Sequence, residues 1–370
     1  MADSAKPTSS GLEGVVVADT ELSEVDGEQG RLVIAGYDIE ALAGHVSFED
    51  VCHLLWERAL PTPEQREELG RQLGAARKQA WDLLPRLGDA LQRPDGMDAL
   101  RAATAHLTAS NTATPGESVH VVGALPVFVS AWSRLRTGAS PVPPDPKLSV
   151  AADYLRMTTG QPAPEALVAG LDTYLVAVSD HGMNASTFTA RVVASTGSDL
   201  VSAITAGIGS LKGPLHGGAP GPVLDMLDGV GAPENAITWL EGEIQAGRRI
   251  MGMGHRIYRV RDPRAAVLER GVERLEKSGV KTGRLPLARA VEKAACDVLA
   301  KRYPNRSLQA NVEFYTAVLL EAVGLPREMF APTFGVSRAA GWAAHVAEQR
   351  KTGRLIRPAS NYLGERRKSI

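Results

Sequence analysis

The chain has 370 residues, 44% of them hydrophobic, and a formal net charge of −1. This length can bury a large core and ordinarily corresponds to about two domains, while 41 basic residues balanced by 42 acidic ones argue against nucleic-acid binding as the main function. The two cysteines, Cys52 and Cys296, are far apart and form no CxxC pattern, which excludes a disulfide scaffold and a thiolate zinc site.

From its N-terminus the chain is predicted to begin with a tail and a small β-hairpin. Residues 1–10, MADSAKPTSS, are small and polar, which is typical of a disordered tail and not of a signal peptide. Two short apolar runs follow, VVV at 15–17 and LVI at 32–34, with an Asp26-Gly27 turn signal between them. The two runs are predicted to pair as strands.

Beyond the hairpin the pattern is almost wholly helical. Residues 61–80 carry Leu69 and Leu73 four positions apart among charged residues, which predicts an amphipathic helix. Ser198 is the candidate N-cap of a second helix, with Gly213 as its stop signal. Both features indicate helices that bury one face.

Two later segments continue this pattern. Asp262 followed by Pro263 is a strong helix start, and apolar residues between 287 and 299 predict a further amphipathic helix. Residues 138–146, GASPVPPDP, contain four prolines and are predicted to form a loop between helices. With scarce strands and no run of about 18 apolar residues, the sequence predicts an all-α, cytoplasmic protein without a membrane span.

Three glycine-flanked histidine segments stand out, together with one acid beside aromatic residues. Glycines around His216 and His255 indicate unusual backbone dihedrals or the close approach of a ligand, so both histidines are candidates for hydrogen bonding to a substrate. The isolated histidines His45, His53, His106 and His120 are expected to be packed or surface residues. The segments are SDHGMNASTF (179–188), GPLHGGAPG (213–221), MGMGHRIYRVRDPR (251–264) and NVEFYTAV (311–318).

Two other interpretations of these segments have less support. The glycines at 252 and 254 lack the third glycine and the preceding strand of a dinucleotide-binding fingerprint. The histidines at 181, 216 and 255 show neither an HxxxH nor an HExxH spacing. We therefore expect no metal site.

The residue types fit the joining of an acyl-CoA α-carbon to a ketone. Such a condensation needs a base for a carbon-bound proton, a donor for the forming enolate oxygen and an acid for the ketone oxygen. A dicarboxylate substrate also needs arginines, whose planar guanidinium groups match carboxylates through paired hydrogen bonds. One carboxylate, two or three histidines and three arginines on glycine-rich loops suggest this reaction.

The same segments resemble the citrate synthase family, in its shorter bacterial and archaeal form. The resemblance extends from residue 11 to Gly364, and the matching stretches occur in the order found in the family. They are GLEGVVVADTELSEVDGEQGRLVIAGYDIEALA, DHGMNASTFTARVVAST, LKGPLHGGA, MGMGHRIYRVRDPRA, NVEFYTAVLLEAVGLP, MFAPTFGVSRAAGWAAHVAEQ and RLIRPASNYLG.

The resemblance implies a two-domain, mostly helical homodimer that takes a coenzyme A thioester as substrate and holds no permanently bound cofactor. Residues 11–218 and 330–370 would form the large domain, and residues 219–329 a small domain that closes over the substrates. The implied reaction condenses acetyl-CoA with oxaloacetate and then hydrolyses the thioester to citrate and CoA.

The resemblance also implies a role for each site residue. Catalysis would rest on His216 for the enolate of the acyl-CoA, His255 for protonation of the oxaloacetate carbonyl and Glu313 as the base. The 2-oxo dicarboxylate would bind to His181, Arg264, Arg338 and Arg357, the last reaching in from the partner subunit. Coenzyme A would lie along Met251, Gly252, Met253 and Gly254, with Arg306 at one of its phosphates.

One position departs from the family pattern. The family usually has aspartate where this chain has Glu313, and the extra methylene moves the carboxylate by up to about 1.5 Å. A misplacement of roughly 1 Å can cost about a hundredfold in rate. Two alternatives therefore stay open beside citrate synthesis: a 2-methylcitrate synthase that uses propionyl-CoA, and a catalytically weak paralogue that binds CoA or dicarboxylates.

Overall fold

The fold consists of packed helices with one small sheet near the N-terminus, as the all-α prediction required. The computed structural model describes residues 11–12, 14–108, 115–216 and 220–365, so the predicted tail at 1–10 lies outside the described residues. The helices are α1 (Ile39–Leu42), α2 (Phe48–Glu57), α3 (Pro63–Leu83), α4 (Gly96–Thr104), α5 (Pro115–Arg136), α6 (Val150–Thr159), α7 (Glu165–Val178), α8 (Ala185–Ser195), α9 (Leu200–Leu211), α10 (Pro220–Val230), α11 (Ala236–Gln245), α12 (Pro263–Lys277), α13 (Leu285–Arg302), α14 (Val312–Ala322) and α15 (Phe330–Thr352).

The sheet has three antiparallel strands in the order β1 (Ser23–Asp26), β2 (Arg31–Ile34) and β3 (Tyr37–Asp38). The predicted second strand and turn are confirmed, but the predicted first strand at 15–17 is wrong. Asp26 pairs with Arg31 across the turn, and its carboxylate accepts hydrogen bonds from the backbone N–H groups of Glu28 and Gln29. Because a tight turn pairs the residues immediately beside it, the arm opposite β2 has to be residues 23–26.

Local capping explains where the predicted helices begin. Thr62 and Gln65 form a reciprocal capping box, so α3 starts after Thr62 and not at residue 61. Helix α9 begins one residue later than predicted, because the carboxylate of Asp199, and not Ser198, accepts from the backbone N–H of Ser202. The predicted helix around residues 287–299 is α13, and residues 138–146 form the predicted loop between α5 and α6.

The core contains the long helices α5 and α15, each of which buries a tryptophan, Trp132 and Trp342. Residues Gly116–Arg136 of α5 are long and apolar enough to cross a membrane by length and composition, with a mean hydropathy of 1.2. However, 83% of its most apolar window is buried inside the fold, which is the situation of a core helix in a globular protein.

The helices end in loops that carry the histidine segments. His181 follows α7, His216 follows α9, and His255 lies between α11 and α12, while Glu313 occupies the first turn of α14. Helices α10 to α14 fall within residues 219–329, and the division of the chain at these limits stays a prediction.

Candidate active site

His181, His255 and Tyr258 meet at the centre of the site. The ring centroids of His181 and His255 are 5.6 Å apart, and those of His255 and Tyr258 are 4.8 Å apart. The Tyr258 hydroxyl lies 3.1 Å from Nε2 of His181. These contacts join two segments that are far apart in the sequence. They bring together two of the three predicted histidines, His181 and His255.

The loop that carries His255 is bonded to the segment that precedes Glu313. The Gly254 N–H donates to the Gln309 carbonyl at 2.7 Å, and the Asn311 N–H donates to the Gly252 carbonyl at 2.9 Å. The Asn311 side-chain amide also donates to the Gly254 carbonyl at 2.9 Å. The loop before α12 and the start of α14 are therefore held in one register.

Glycine is required at two positions of this loop. Gly252 and Gly254 have φ of +71° and +85°, in the left-handed region that favours glycine. A Cβ atom at Gly252 would lie 2.9 Å from Cβ of Phe314, and one at Gly254 would lie 2.9 Å from a methyl carbon of Leu308. The glycines that drew attention in the sequence thus permit the close approach of the loop to α14.

The hydrogen bonds of His255 define its tautomer. Its Nδ1 accepts from the backbone N–H groups of Ile257 at 3.0 Å and Tyr258 at 3.1 Å. An acceptor nitrogen carries no proton, so the neutral ring has its proton on Nε2. His255 can therefore donate a hydrogen bond from Nε2.

His216 is held in the opposite way by the first turn of α8. Its Nε2 accepts from the backbone N–H of Ser186 at 3.3 Å and lies 2.8 Å from the Ser186 hydroxyl. The indole N–H of Trp342 donates to the same hydroxyl at 3.2 Å. With Nε2 as the acceptor, the neutral His216 ring has its proton on Nδ1, which becomes its donor.

Two buried arginines supply the positive charge of the site. Arg264 donates to the Asp262 carboxylate from Nε at 3.0 Å and from Nη2 at 2.7 Å, and Asp262 also accepts the backbone N–H of Val312. Arg338 donates from Nε to the Val178 carbonyl at 2.7 Å, but its buried Nη2 has no hydrogen-bond partner among the described residues. A buried cation with an unused donor is suited to binding a carboxylate.

Burial and these arginines lower the pKa of all three site histidines. The pKa of His216 falls to about 4 through burial and the charges of Arg338 and Arg264, and the pKa of His255 falls to about 4 through burial and Arg264, although Asp262 opposes this shift. For His181 burial and Arg264 act in the same direction and hold the pKa well below its usual range. All three rings are therefore neutral at pH 7.

We expect acid to destabilise the protein through His216 and His255. An unfolded histidine binds its proton near pH 6.5, whereas these two bind it near pH 4 in the folded state. As the pH falls from about 6.5 towards 4 the unfolded state takes up protons first, so the free energy of unfolding falls across this window and is unaffected above it.

Melting temperatures between pH 4.5 and 7.5 measure this effect. On acidification from pH 7.5 to 4.5 the melting temperature of the double variant His216→Gln, His255→Gln should fall less than that of the wild type. His106→Gln, which changes an exposed histidine, is the matched control and should keep the wild-type loss. Equal losses in the double variant and the wild type would contradict the assignment.

Glu313 adds a carboxylate whose pKa is raised, in contrast to the lowered pKa values of the histidines. Burial raises its pKa, while the charges of Arg264 and Arg249 oppose the rise. Its backbone N–H donates to the side chain of Asn311, the N-cap of α14, at 3.0 Å. No group of the described residues donates a hydrogen bond to its carboxylate, so the proton-accepting oxygens are available to a ligand.

The remaining predicted site residues are two exposed arginines and the two methionines of the loop before His255. Arg357 is exposed in the segment after α15, and none of its contacts within the described residues reaches the histidines. Arg306 is exposed between α13 and α14, with its guanidinium carbon 6.0 Å from the centroid of the Tyr303 ring. Met251 is half-buried, and Met253 is buried and bridges to Ala310. Among the described residues, no group of three or more His, Cys, Asp or Glu side chains could hold a metal ion.

Sequence reasoning missed three side chains that organise the site: Ser186, Tyr258 and Asp262. Ser186 lies within SDHGMNASTF, and the other two lie within MGMGHRIYRVRDPR, so the segments were identified without these members. Asp262 was predicted as an N-cap, and it does cap α12, but the same carboxylate also holds Arg264. For Tyr258 and Asp262 the available signal was a polar residue three and two positions from a predicted site residue, whereas Ser186 lies five positions from His181 and carried no such signal.

A helical fold with three neutral histidines, two buried arginines and one carboxylate in its candidate site is suited to acid–base chemistry on an anionic substrate. A family model described as the C-terminal domain of citrate synthase matches residues 11–359. The citrate synthase of Haloferax volcanii is 38% identical over 371 positions, covering 96% of each chain. The 2-methylcitrate synthase of Mycobacterium tuberculosis is 34% identical, covering 97% of this chain and 91% of its own.

A solved structure gives the same result. The citrate synthase of Thermoplasma acidophilum, in a ternary complex with carboxymethyl coenzyme A and oxaloacetate, has a TM-score of 0.87 at 26% identity and covers 98% of this chain and 97% of that one. The chain belongs to the citrate synthase family. It is accordingly a transferase, an acyltransferase that performs the citrate synthase type of condensation.

Proposed function

We propose that this enzyme condenses acetyl-CoA with oxaloacetate and hydrolyses the resulting thioester to citrate and CoA. The observation that carries the proposal is the pair of neutral histidines, His216 and His255, which have their donor protons on different ring nitrogens. The charge of Arg264 lowers the pKa of both histidines and also acts on the carboxylate of Glu313. One donor is needed at each of two carbonyl oxygens, and one base is needed between them.

In the first step Glu313 removes a proton from the methyl carbon of the thioester. Its raised pKa moves the carboxylate closer to the operating pH, which strengthens it as a base. Nδ1–H of His216 donates to the thioester oxygen as the enolate forms. A neutral donor is suited to this oxygen because the ring is held in place by Ser186 and needs no rearrangement as charge develops.

In the second step the enolate carbon bonds to the ketone carbon of oxaloacetate. The ketone oxygen gains negative charge and receives the Nε2 proton of His255, whose ring is held in position by the two backbone N–H groups at Nδ1. The proton that Glu313 removed from the methyl carbon then restores the neutral His255 ring and leaves Glu313 ionised again. Water then cleaves the thioester of the citryl-CoA intermediate and releases the thiol of CoA.

The carboxylates of oxaloacetate would bind to Arg264 and Arg338, with His181 as a further hydrogen-bonding partner. Supporting evidence is the unpartnered Nη2 of Arg338 and the burial of both guanidinium groups, since a buried cation gains most from a bound anion. The Thermoplasma relative was solved with oxaloacetate and a coenzyme A derivative, which is consistent with this substrate pair.

Release of free CoA tests the proposal directly. The purified enzyme should release thiol only when an acyl-CoA and a 2-oxo dicarboxylate are both present, because neither half-reaction is completed alone. A grid of acetyl-CoA and propionyl-CoA against several 2-oxo acids, followed with a thiol reagent, measures this. Binding of CoA without thiol release for any pair would favour the catalytically weak paralogue, which the glutamate at 313 makes the second candidate.

The same grid separates acetyl-CoA from propionyl-CoA. The two substrates differ by one methylene, which a pocket discriminates by only about 1–3 kcal/mol. The 34% identity to a 2-methylcitrate synthase keeps the propionyl-CoA activity as an alternative. A higher kcat/KM for propionyl-CoA would reassign the acyl substrate and leave the reaction type unchanged.

We further propose a cytoplasmic homodimer without a permanently bound cofactor, in which residues 219–329 close over the substrates as a small domain. Met251, Gly252, Met253 and Gly254 would lie along the CoA adenine, with Arg306 near a phosphate. Arg357 would bind a substrate carboxylate in the partner's site, and its exposure in this chain leaves it available for that contact.

Mixed dimers test the shared site. Chains with Arg357→Ala and chains with His255→Ala should each be nearly inactive alone, because every site then lacks one group. Subunit exchange would give dimers in which one site carries both defects and the other carries none, so activity should return to up to about half of that of the wild type per dimer. Exchange verified by mass spectrometry without any recovery would contradict a contribution across subunits.

A further inference from the structure

A chain of buried and partly buried hydrogen bonds begins directly beside His181. The Ser23 hydroxyl on β1 donates to Oδ2 of Asp180 at 2.5 Å and accepts from the backbone N–H of Gly182 at 3.0 Å. Asp180 and Gly182 are the two sequence neighbours of His181. One hydroxyl from the N-terminal sheet therefore contacts the side chain that precedes a site histidine and the backbone N–H that follows it.

His345 holds the same carboxylate from α15. Its ring is fully buried, and its Nε2 lies 3.2 Å from Oδ1 and 3.3 Å from Oδ2 of Asp180. Its Nδ1 lies 3.1 Å from Nη1 of Arg191. Since a guanidinium group only donates, Nδ1 is the acceptor, and the ring proton on Nε2 points at Asp180.

Arg191 continues the chain of bonds to the C-terminal segment. Its Nε donates to the Gln349 side chain at 3.1 Å, and the amide of Gln349 donates to the Arg354 carbonyl at 3.1 Å. The Ile356 N–H donates to the hydroxyl of Ser195, one helical turn beyond Arg191 on α8. The two bonds fix the backbone immediately before Arg357.

We propose that Ser23 and His345 are positioning residues that hold His181 through Asp180 and link it to the segment that carries Arg357. The inference rests on the proposed function only in assigning substrate contacts to His181 and Arg357. A purely space-filling role would be served by apolar side chains without the desolvation of Asp180, His345 and Arg191. The polar groups are instead arranged donor to acceptor, from one substrate-binding segment to the other.

Direct binding of oxaloacetate, measured by calorimetry without acyl-CoA, tests the first part. Ser23→Ala and His345→Leu should each raise the Kd for oxaloacetate about tenfold, the scale of one lost hydrogen bond, and leave the Kd for CoA within about twofold. Ser23→Thr and His345→Gln, which retain a hydroxyl and a donor–acceptor pair, should recover most of the affinity. Ser130→Ala, which removes a buried hydroxyl that bonds within α5, is the matched control and should leave both constants unchanged.

Hydrogen exchange tests the link to the C-terminal segment. In His345→Leu the Ile356 amide should exchange about tenfold faster than in the wild type, while Ser130→Ala leaves it unchanged. A lower melting temperature in Ser23→Ala and His345→Leu with an unchanged Kd for oxaloacetate would overturn the proposal and make both residues structural. If His345→Leu does not fold, the Ser23→Ala and Ser23→Thr pair decides the role of the bonds at Asp180, and Gln349→Leu, which removes the bond to the Arg354 carbonyl, replaces it in the exchange measurement.

Failure of the proposed function gives a different pattern. If the wild type binds oxaloacetate but releases no CoA, the proposed catalysis fails, while the effects of the variants on Kd still support or overturn the positioning role. If the wild type does not bind oxaloacetate, the substrate assignment fails and the exchange of Ile356 alone decides whether the two segments are linked.

Discussion

The Glu313→Gln variant should lose exchange of the acyl-CoA α-hydrogen with solvent by a factor of about 10²–10⁴, the usual contribution of a general base. An amide of the same length cannot accept the proton, whereas binding of both substrates should persist because Glu313 is not assigned to hold either. The measurement is loss of deuterium from labelled acetyl-CoA in the presence of a 2-oxo dicarboxylate. Undiminished exchange would show that another residue is the base.

Shortening the same side chain distinguishes an adapted glutamate from a weakened aspartate site. The backbone at Glu313 is tied to Asn311, and Asn311 is tied to Gly252, so the helix start cannot easily advance to make up for a lost methylene. We therefore expect Glu313→Asp to lower kcat, with a deuterium isotope effect on condensation that increases as proton removal becomes slower. A higher kcat in Glu313→Asp would mean that the site still fits aspartate better.

Removal of either histidine donor should lower kcat by about 10²–10³-fold, the cost of losing one hydrogen bond to a developing oxyanion. His216→Ala and His255→Ala are the variants, and steady-state thiol release is the measurement. Their melting temperatures at pH 7.5 should change little, because both rings are half-buried in the site and neither fills the core.

His120→Ala is the matched control for these two variants. His120 lies on α5 outside the site, with Nδ1 3.2 Å from the side chain of Gln79. It should keep kcat near that of the wild type. A large loss of stability in His216→Ala or His255→Ala, with unchanged turnover per folded molecule, would return these residues to a structural role.

The sequence was sufficient to predict the helical class and to select the segments that form the candidate site. Local signals carry this information, because a cap such as Asp262 before Pro263 acts within one helical turn, and α12 starts where the two residues predict. The glycines at 252 and 254 predicted unusual dihedrals, and both have positive φ. Such features depend on neighbours along the chain, which a sequence displays directly.

Other features depend on contacts that the sequence does not display. The three valines at 15–17 have high strand propensity but no partner strand among the described residues, and Val16 is 84% exposed, whereas the more polar residues 23–26 pair with β2. The bond of Ser186 to His216 joins positions 30 residues apart, and that of His345 to Asp180 joins positions 165 apart. Propensity and spacing contain no information about such pairs.

The backbone bonds between residues 252–254 and 309–311 have a consequence for how such chains can be recombined. They connect the loop of the proposed acid, His255, to the helix of the proposed base, Glu313, so a one-residue change in length on one side shifts the register of both. A chimera of two relatives should keep its acid and base aligned only when both segments come from the same parent. The two motifs should therefore be exchanged between relatives only together, although more than 50 residues separate them in the sequence.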